Sequence, residues 1–173
     1  MSLKERALKI KMLLMDVDGV LTDGTLYYAD YGESLKPFSV YDGIGIKLLH
    51  RAGIVTGVVS GRRSYSLERR LKDLGVQEMF LGESNKEKVV TFIQRRRNLS
   101  SQEIAYIGDD IVDISLLRTV GFPATVPSAV EEVKKLCVYV TLREAGKGAI
   151  RELAELILRL KGIYEETVKE ILK

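Results

Sequence analysis

Met12-Leu13-Leu14-Met15-Asp16-Val17-Asp18-Gly19-Val20-Leu21-Thr22-Asp23-Gly24 is an apolar strand that runs straight into a loop of acids and glycines. In extended backbone, residues two apart point the same way, so Asp16 and Asp18 bring their carboxylates together just beyond the strand's carboxyl end. Open α/β sheets bind ligands at that edge. Two neighbouring carboxylates repel unless a cation or a shared proton offsets them, and a hard divalent cation with oxygen ligands does so naturally. An Asp- and Gly-rich turn is the plainer alternative, and this segment alone leaves both readings open.

Outward from this stretch, apolar runs with strand character recur at residues 54–59, 79–81, 104–107, 122–126 and 138–142. Between them, segments 43–52, 64–74, 86–97, 111–119 and 128–136 repeat apolar residues at helical spacing. Gly53, Gly75 and Gly121 fall where those helices should stop. The alternation predicts an α/β fold, a doubly wound parallel sheet covered on both faces. One segment breaks it. Residues 25–28 and 34–40 flank Ala29-Asp30-Tyr31-Gly32-Glu33, which predicts a β-hairpin over 25–40 inserted directly after the first strand. Its Leu26, Tyr27, Tyr28, Leu35 and Phe38 are more apolar surface than a two-stranded ribbon buries alone, so a partner surface is expected. Ile150, Leu153, Leu156, Ile157 and Leu160 predict a final amphipathic helix ending near Gly162, within a helical tail over 146–173. No repeat or linker interrupts the chain, so residues 1–173 are expected to form a single domain.

The 173 residues, 46% apolar and 29% charged, suffice for one core. A net charge of +3 comes from 27 basic and 24 acidic residues spread along the whole length, which argues against a nucleic-acid partner. The dense cluster Arg95, Arg96 and Arg97 closes a predicted helix, where cations suit the dipole. Cys137 has no second cysteine to pair with and reads as a buried, inert thiol. The start of the chain lacks the apolar stretch of a signal peptide, and no run is long enough to span a bilayer. The expected location is the cytoplasm, with no membrane partner.

A second acidic cluster follows a later strand, in Ala105-Tyr106-Ile107-Gly108-Asp109-Asp110 with Asp113 at helical spacing. So many acids at two strand ends exceed what turns require. If these strands are neighbours, Asp16 and Asp109 face each other where the winding reverses, and together make a magnesium site. Ser60-Gly61-Arg62 ends another strand with a hydroxyl, free backbone N–H groups and a guanidinium, which suit a phosphoryl group. Lys86 opens a helix, where a cation is unfavourable against the dipole, and this points to an anion nearby.

The ordered set Asp16-x-Asp18-Gly19, Ser60-Gly61-Arg62, Lys86 and Gly108-Asp109-Asp110-x-x-Asp113 resembles the haloacid dehalogenase superfamily of phosphatases from about residue 9 to 162. The resemblance implies a Rossmann-like fold in which Asp16 attacks phosphorus and Asp18 protonates the leaving alcohol and then activates water. It further implies that Ser60 and Lys86 hold the transferring oxygens. Magnesium would be held by Asp16, the backbone carbonyl of Asp18 and Asp109, with Asp110 and Asp113 supporting them from behind. The opening loop, the Tyr-rich hairpin, residues 38–47 and Ala145-Gly146-Lys147-Gly148-Ala149-Ile150-Arg151-Glu152 are similar to the small capless subfamily that acts on eight-carbon sugar acid 8-phosphates in lipopolysaccharide synthesis. That likeness implies no cap domain and a homotetramer in which neighbouring hairpins and tails close the site. It also implies a substrate pocket of Asp18, Ser39, Val40, Tyr41, Asp42, Gly43, Lys47, Arg62, Arg70 and Lys86, in keeping with the cations a carboxylate and a phosphate require.

Other readings compete. Lys47 and Arg70 could be solvated helix positions, Gly43-x-Gly45 is a poor dinucleotide motif because it follows a hairpin, and His50 reads as a packing residue. A nine-carbon sugar acid 9-phosphate is the rival substrate, against which Arg62 argues, since such relatives can carry an acid there. A phospho-aspartate receiver domain shares the acids and the fold type, but it places its acid pair and its acceptor in a different order and lacks the hairpin.

Overall fold

Every residue of Met12–Met15 is buried, which requires a strand with neighbours on both edges and layers on both faces. The computed structural model, which describes residues 1–172, supplies them. Along the chain come α1 (Leu3–Lys9), β1 (Met12–Met15), β2 (Tyr27–Ala29), β3 (Gly32–Leu35), α2 (Val40–Arg51), β4 (Val55–Ser60), α3 (Tyr65–Leu74), β5 (Glu78–Leu81) and α4 (Lys86–Arg97). The second half holds β6 (Ile104–Ile107), α5 (Ile114–Leu117), β7 (Phe122–Thr125), α6 (Glu131–Lys134), β8 (Tyr139–Val140), α7 (Ala149–Leu160) and α8 (Tyr164–Ile171).

Six strands form one parallel sheet in the order β5-β4-β1-β6-β7-β8, and β2 and β3 form the separate antiparallel hairpin. From β1 the chain winds outward to β4 and β5, then returns to the other side of β1 for β6, β7 and β8. The reversal lies between β1 and β6, which pair directly from Met12 with Ile104 to Met15 with Ile107. Asp16 continues that pairing, its N–H donating to the Ile107 carbonyl at 2.9 Å. Helices α1, α2, α7 and α8 pack together as one group, and α4 packs on α5. Gly45 of α2 lets α7 come close, since a Cβ there would lie 2.7 Å from the Arg151 Cα.

The doubly wound sheet and the inserted hairpin agree with the sequence reading, whereas several element limits do not. Residues 111–119 form a 3-10 turn at Ile111–Asp113 followed by the short α5, because Asp113 turns its carboxylate inward onto the Asp109 and Asp110 N–H groups. The segment 128–136 shortens to α6. Val40 is no strand residue but opens α2 behind an Ser39 N-cap, whose hydroxyl accepts from the Tyr41 N–H. Phe38 packs against the protein's own core, so it drops out of the hairpin's unpartnered surface. Gly75 closes α3 in the left-handed region at φ 73°. Gly121 has a different role, since it lets the chain pass close to the Gln102 backbone, where a Cβ would lie 2.6 Å away. The helix α1, held by a reciprocal Ser2–Glu5 capping box, was not anticipated, while α8 occupies the part of the expected helical tail beyond Gly162 as a separate helix.

Candidate active site

The carboxyl ends of β1, β4 and β6 open into a cleft of about 450 Å³ lined by Asp16, Asp18, Ser60, Arg62, Lys86 and Asp109, with Glu83 and Ser84 at one side. Neighbouring parallel strands deliver the two acid loops side by side, and Gly19 sets how close they come. Its φ is +86°, and a Cβ there would lie 2.1 Å from Asp109 Oδ2. Glycine alone satisfies both conditions.

Lys86, at the start of α4, is buried and reaches inward. Its Nζ lies 3.0 Å from Asp16 Oδ1 and 2.6 Å from Asp113 Oδ1. Its anions are therefore the protein's own carboxylates. Burial works against the ammonium, but Asp16 and Asp113 outweigh it and hold the lysine above its ordinary pKa. Asp113 is fully enclosed and saturated. It accepts from the Asp109 and Asp110 N–H groups at 2.9 and 3.2 Å, from Lys86, and from the Tyr106 hydroxyl. Tyr106, fully buried in β6, has its own ionisation pushed far up, first by burial and then by the surrounding acids.

Asp16 and Asp109 are in a different condition. Burial, with Asp113 close by, pushes Asp16 up to about 7, and burial with Asp113 and Asp110 pushes Asp109 up to about 7. Oxygens of Asp16, Asp109 and Asp113 all come within 4.8 Å of one another. Asp109 Oδ1 is buried and without a hydrogen-bond partner among the described residues. An orphaned carboxylate oxygen, facing a second carboxylate in an all-oxygen donor set, fits a hard divalent cation such as magnesium.

Ser60 ends β4, its hydroxyl accepting from the Arg62 N–H at 3.1 Å. The Arg62 Nε lies 3.8 Å from Asp18 Oδ2, and its NH1 donates to the Tyr28 hydroxyl at 3.2 Å. Asp110 is exposed and caps the turn after β6 by accepting from the Ile111 N–H.

The remaining expected pocket residues lie apart from this cleft. Ser39, Asp42, Gly43 and Arg70 line a separate small recess with Leu21 and Phe38. Arg70 donates to the Ser39 carbonyl at 3.2 Å and packs over Gly43. Val40, Tyr41 and Lys47 are exposed on α2. Asp42 is 1% exposed, and its carboxylate accepts from the Gly148 and Arg151 N–H groups at 3.2 and 3.1 Å, capping α7, so within this chain it has a structural role. Sequence reasoning passed over Tyr106, whose hydroxyl, sitting in a buried strand, was a usable signal that it must find a partner. It also passed over Lys36, whose Nζ pairs with Asp18, and no local pattern announces that contact.

The model of the haloacid dehalogenase-like hydrolase family matches residues 77–153. The 3-deoxy-D-manno-octulosonate 8-phosphate phosphatase of Haemophilus influenzae is 41% identical over 160 residues, covering 92% of this chain and 89% of the relative. The chain belongs to the haloacid dehalogenase-like hydrolases. Within this family it is a phosphatase, which sets aside the receiver-domain reading. The Moraxella catarrhalis enzyme of the same name, solved with a magnesium ion, phosphate and KDO, superposes with a TM-score of 0.93 at 33% identity, covering 97% of each chain. The cobalt-bound Haemophilus influenzae enzyme gives 0.92 at 40% identity, covering 97% of this chain and 99% of that one. No helix among the described residues is long and apolar enough to cross a membrane.

Proposed function

We propose that this hydrolase is a magnesium-dependent phosphomonoesterase that converts 3-deoxy-D-manno-octulosonate 8-phosphate to the free sugar acid and inorganic phosphate, within lipopolysaccharide synthesis. The observation that carries the reading is the cleft itself: Asp16, held by Lys86, faces the unsatisfied oxygen of Asp109 beside a serine hydroxyl and Arg62. Its likeness to the Haemophilus and Moraxella enzymes supports the substrate.

Asp16 attacks phosphorus in line, so that an Asp16–phosphorus bond forms as the bond to the sugar oxygen breaks. Asp18 gives its proton to the departing alkoxide, then as a carboxylate takes one from the water that attacks phosphorus. That second attack frees Asp16 and inorganic phosphate. Lys86 and Ser60 hold phosphoryl oxygens, and Lys86 keeps the attacking oxygen of Asp16 in place. Magnesium bound by Asp16, Asp109 and the Asp18 carbonyl supplies positive charge where carboxylates and phosphate would otherwise repel. Asp113 keeps Lys86 and the Asp109 loop in position, with Asp110 beside it.

Arg62, exposed at the cleft rim, is the cation for the substrate's acid end, and it favours the eight-carbon substrate over a nine-carbon one. Exposed Tyr27, Tyr31 and Leu35 on the hairpin support a homotetramer in which neighbours' hairpins and tails wall the cleft. The enzyme is read as cytoplasmic. A phosphate-release screen over sugar phosphates, with and without magnesium, tests the reading. Magnesium-dependent release from the eight-carbon acid phosphate above all others is expected, and preference for a nine-carbon or neutral sugar phosphate would reject the substrate.

A further inference from the structure

Lys36 is only 7% exposed, although lysine is rarely buried unless paired. It follows β3 at the base of the hairpin, and its Nζ forms an ion pair with Asp18 Oδ1. A second acid, Glu33 on β3, places Oε1 3.5 Å from the same ammonium. That Glu33 oxygen is buried and has no hydrogen bond among the described residues. A buried ammonium needs partners that replace its lost hydration, and here carboxylates do so. One of its two carboxylates is the acid-base group of the proposed reaction.

We propose that Lys36 is a positioning residue: it fixes the Asp18 carboxyl for both proton transfers and ties the hairpin's placement to the chemistry. Glu33 is the alternative partner that keeps the ammonium compensated while Asp18 carries a proton. The inference rests on the reading of Asp18 as acid and base.

The test compares two substrates with Lys36→Met, which keeps the side chain's length and removes its charge. The alkyl phosphate of the sugar acid needs a proton on its leaving oxygen, whereas 4-nitrophenyl phosphate releases its phenolate without one. Misplacing Asp18 should lower kcat on the sugar acid phosphate about ten- to a hundredfold, with KM changed by less than about threefold. On 4-nitrophenyl phosphate, the first nitrophenolate per site should appear at nearly the wild-type rate. Slow turnover should follow, because only hydrolysis of the phosphoenzyme then depends on Asp18. Lys36→Arg, which keeps the charge, should recover part of the loss, and Glu33→Gln should show a weaker version of the same split.

Circular dichroism melts accompany each variant, and Lys36→Gln replaces Lys36→Met if the latter fails to fold. Equal losses on both substrates without a burst, or an unchanged kcat on the sugar acid phosphate, would overturn the inference and leave Lys36 as hairpin packing. If the wild type released phosphate from no monoester, the functional reading would fall and the inference with it. An active wild type with indifferent Lys36 variants removes the inference alone.

Discussion

Asparagine in place of Asp16 changes almost nothing in volume and removes the oxygen that attacks phosphorus. Asp16→Asn should therefore stay folded, with an unchanged circular dichroism spectrum, while kcat falls below about a hundredth of wild type. Steady-state phosphate release on the purified variant checks it. Asp42→Ala makes the opposite case. It strips the acceptor from the Gly148 and Arg151 N–H groups at the start of α7 and should cost about 1–3 kcal/mol of stability in urea titration. Its KM should stay near the wild-type value, and a raised KM with an unchanged melt would return Asp42 to the substrate. The two aspartates show what was legible at this scale. Asp16, Asp18 and Asp109 follow buried strands directly, so position in the chain nearly determines position in space. Asp42 and Lys36 take their meaning from residues far away in sequence, α7 for one and the Asp18 loop for the other, and periodicity carries no such information.

At the level of elements, the hairpin offers the sharpest test of assembly. Tyr31, in the hairpin's turn, and Leu35, on β3, stand 84% and 55% exposed, whereas Phe38 packs against the core. Tyr31→Asp combined with Leu35→Asp should yield monomers by light scattering. They should also raise KM for the sugar acid phosphate about tenfold or more as the neighbour's wall is lost. An intact oligomer, or a monomer with wild-type KM, contradicts that arrangement. Lys36 and Tyr28 are left in place, which keeps this result separate from the role of Asp18. Element types were readable wherever apolar residues repeated over a long window, as in α3 and α4. The segment 111–119 was misjudged as one helix because its first turn obeys Asp113, whose carboxylate serves the loop before it.

For the whole molecule, the two acids held up to about 7 link proton, cation and fold. Their folded pKa values lie above the unfolded ones, so the folded chain holds protons that the unfolded chain gives up. Their contribution to stability is complete at low pH and is lost as pH rises through about 7. Melts in a chelator should thus fall between about pH 4 and pH 7 and level off above, and magnesium should flatten that decline by replacing the protons. Parallel slopes with and without magnesium would place the cation elsewhere.

The pairing of β1 with both β4 and β6 has a consequence for how the protein reaches this state. Asp16 and Asp109 belong to strands separated by most of the chain and become neighbours only when the second half of the sheet docks on the first. Parallel strands of such separation close late, since a long loop must be ordered before any contact rewards it. A cation that needs both acids has nothing to bind until then. Magnesium in the refolding buffer should leave the folding rate untouched and slow unfolding, making bound metal a clock for the last step of assembly.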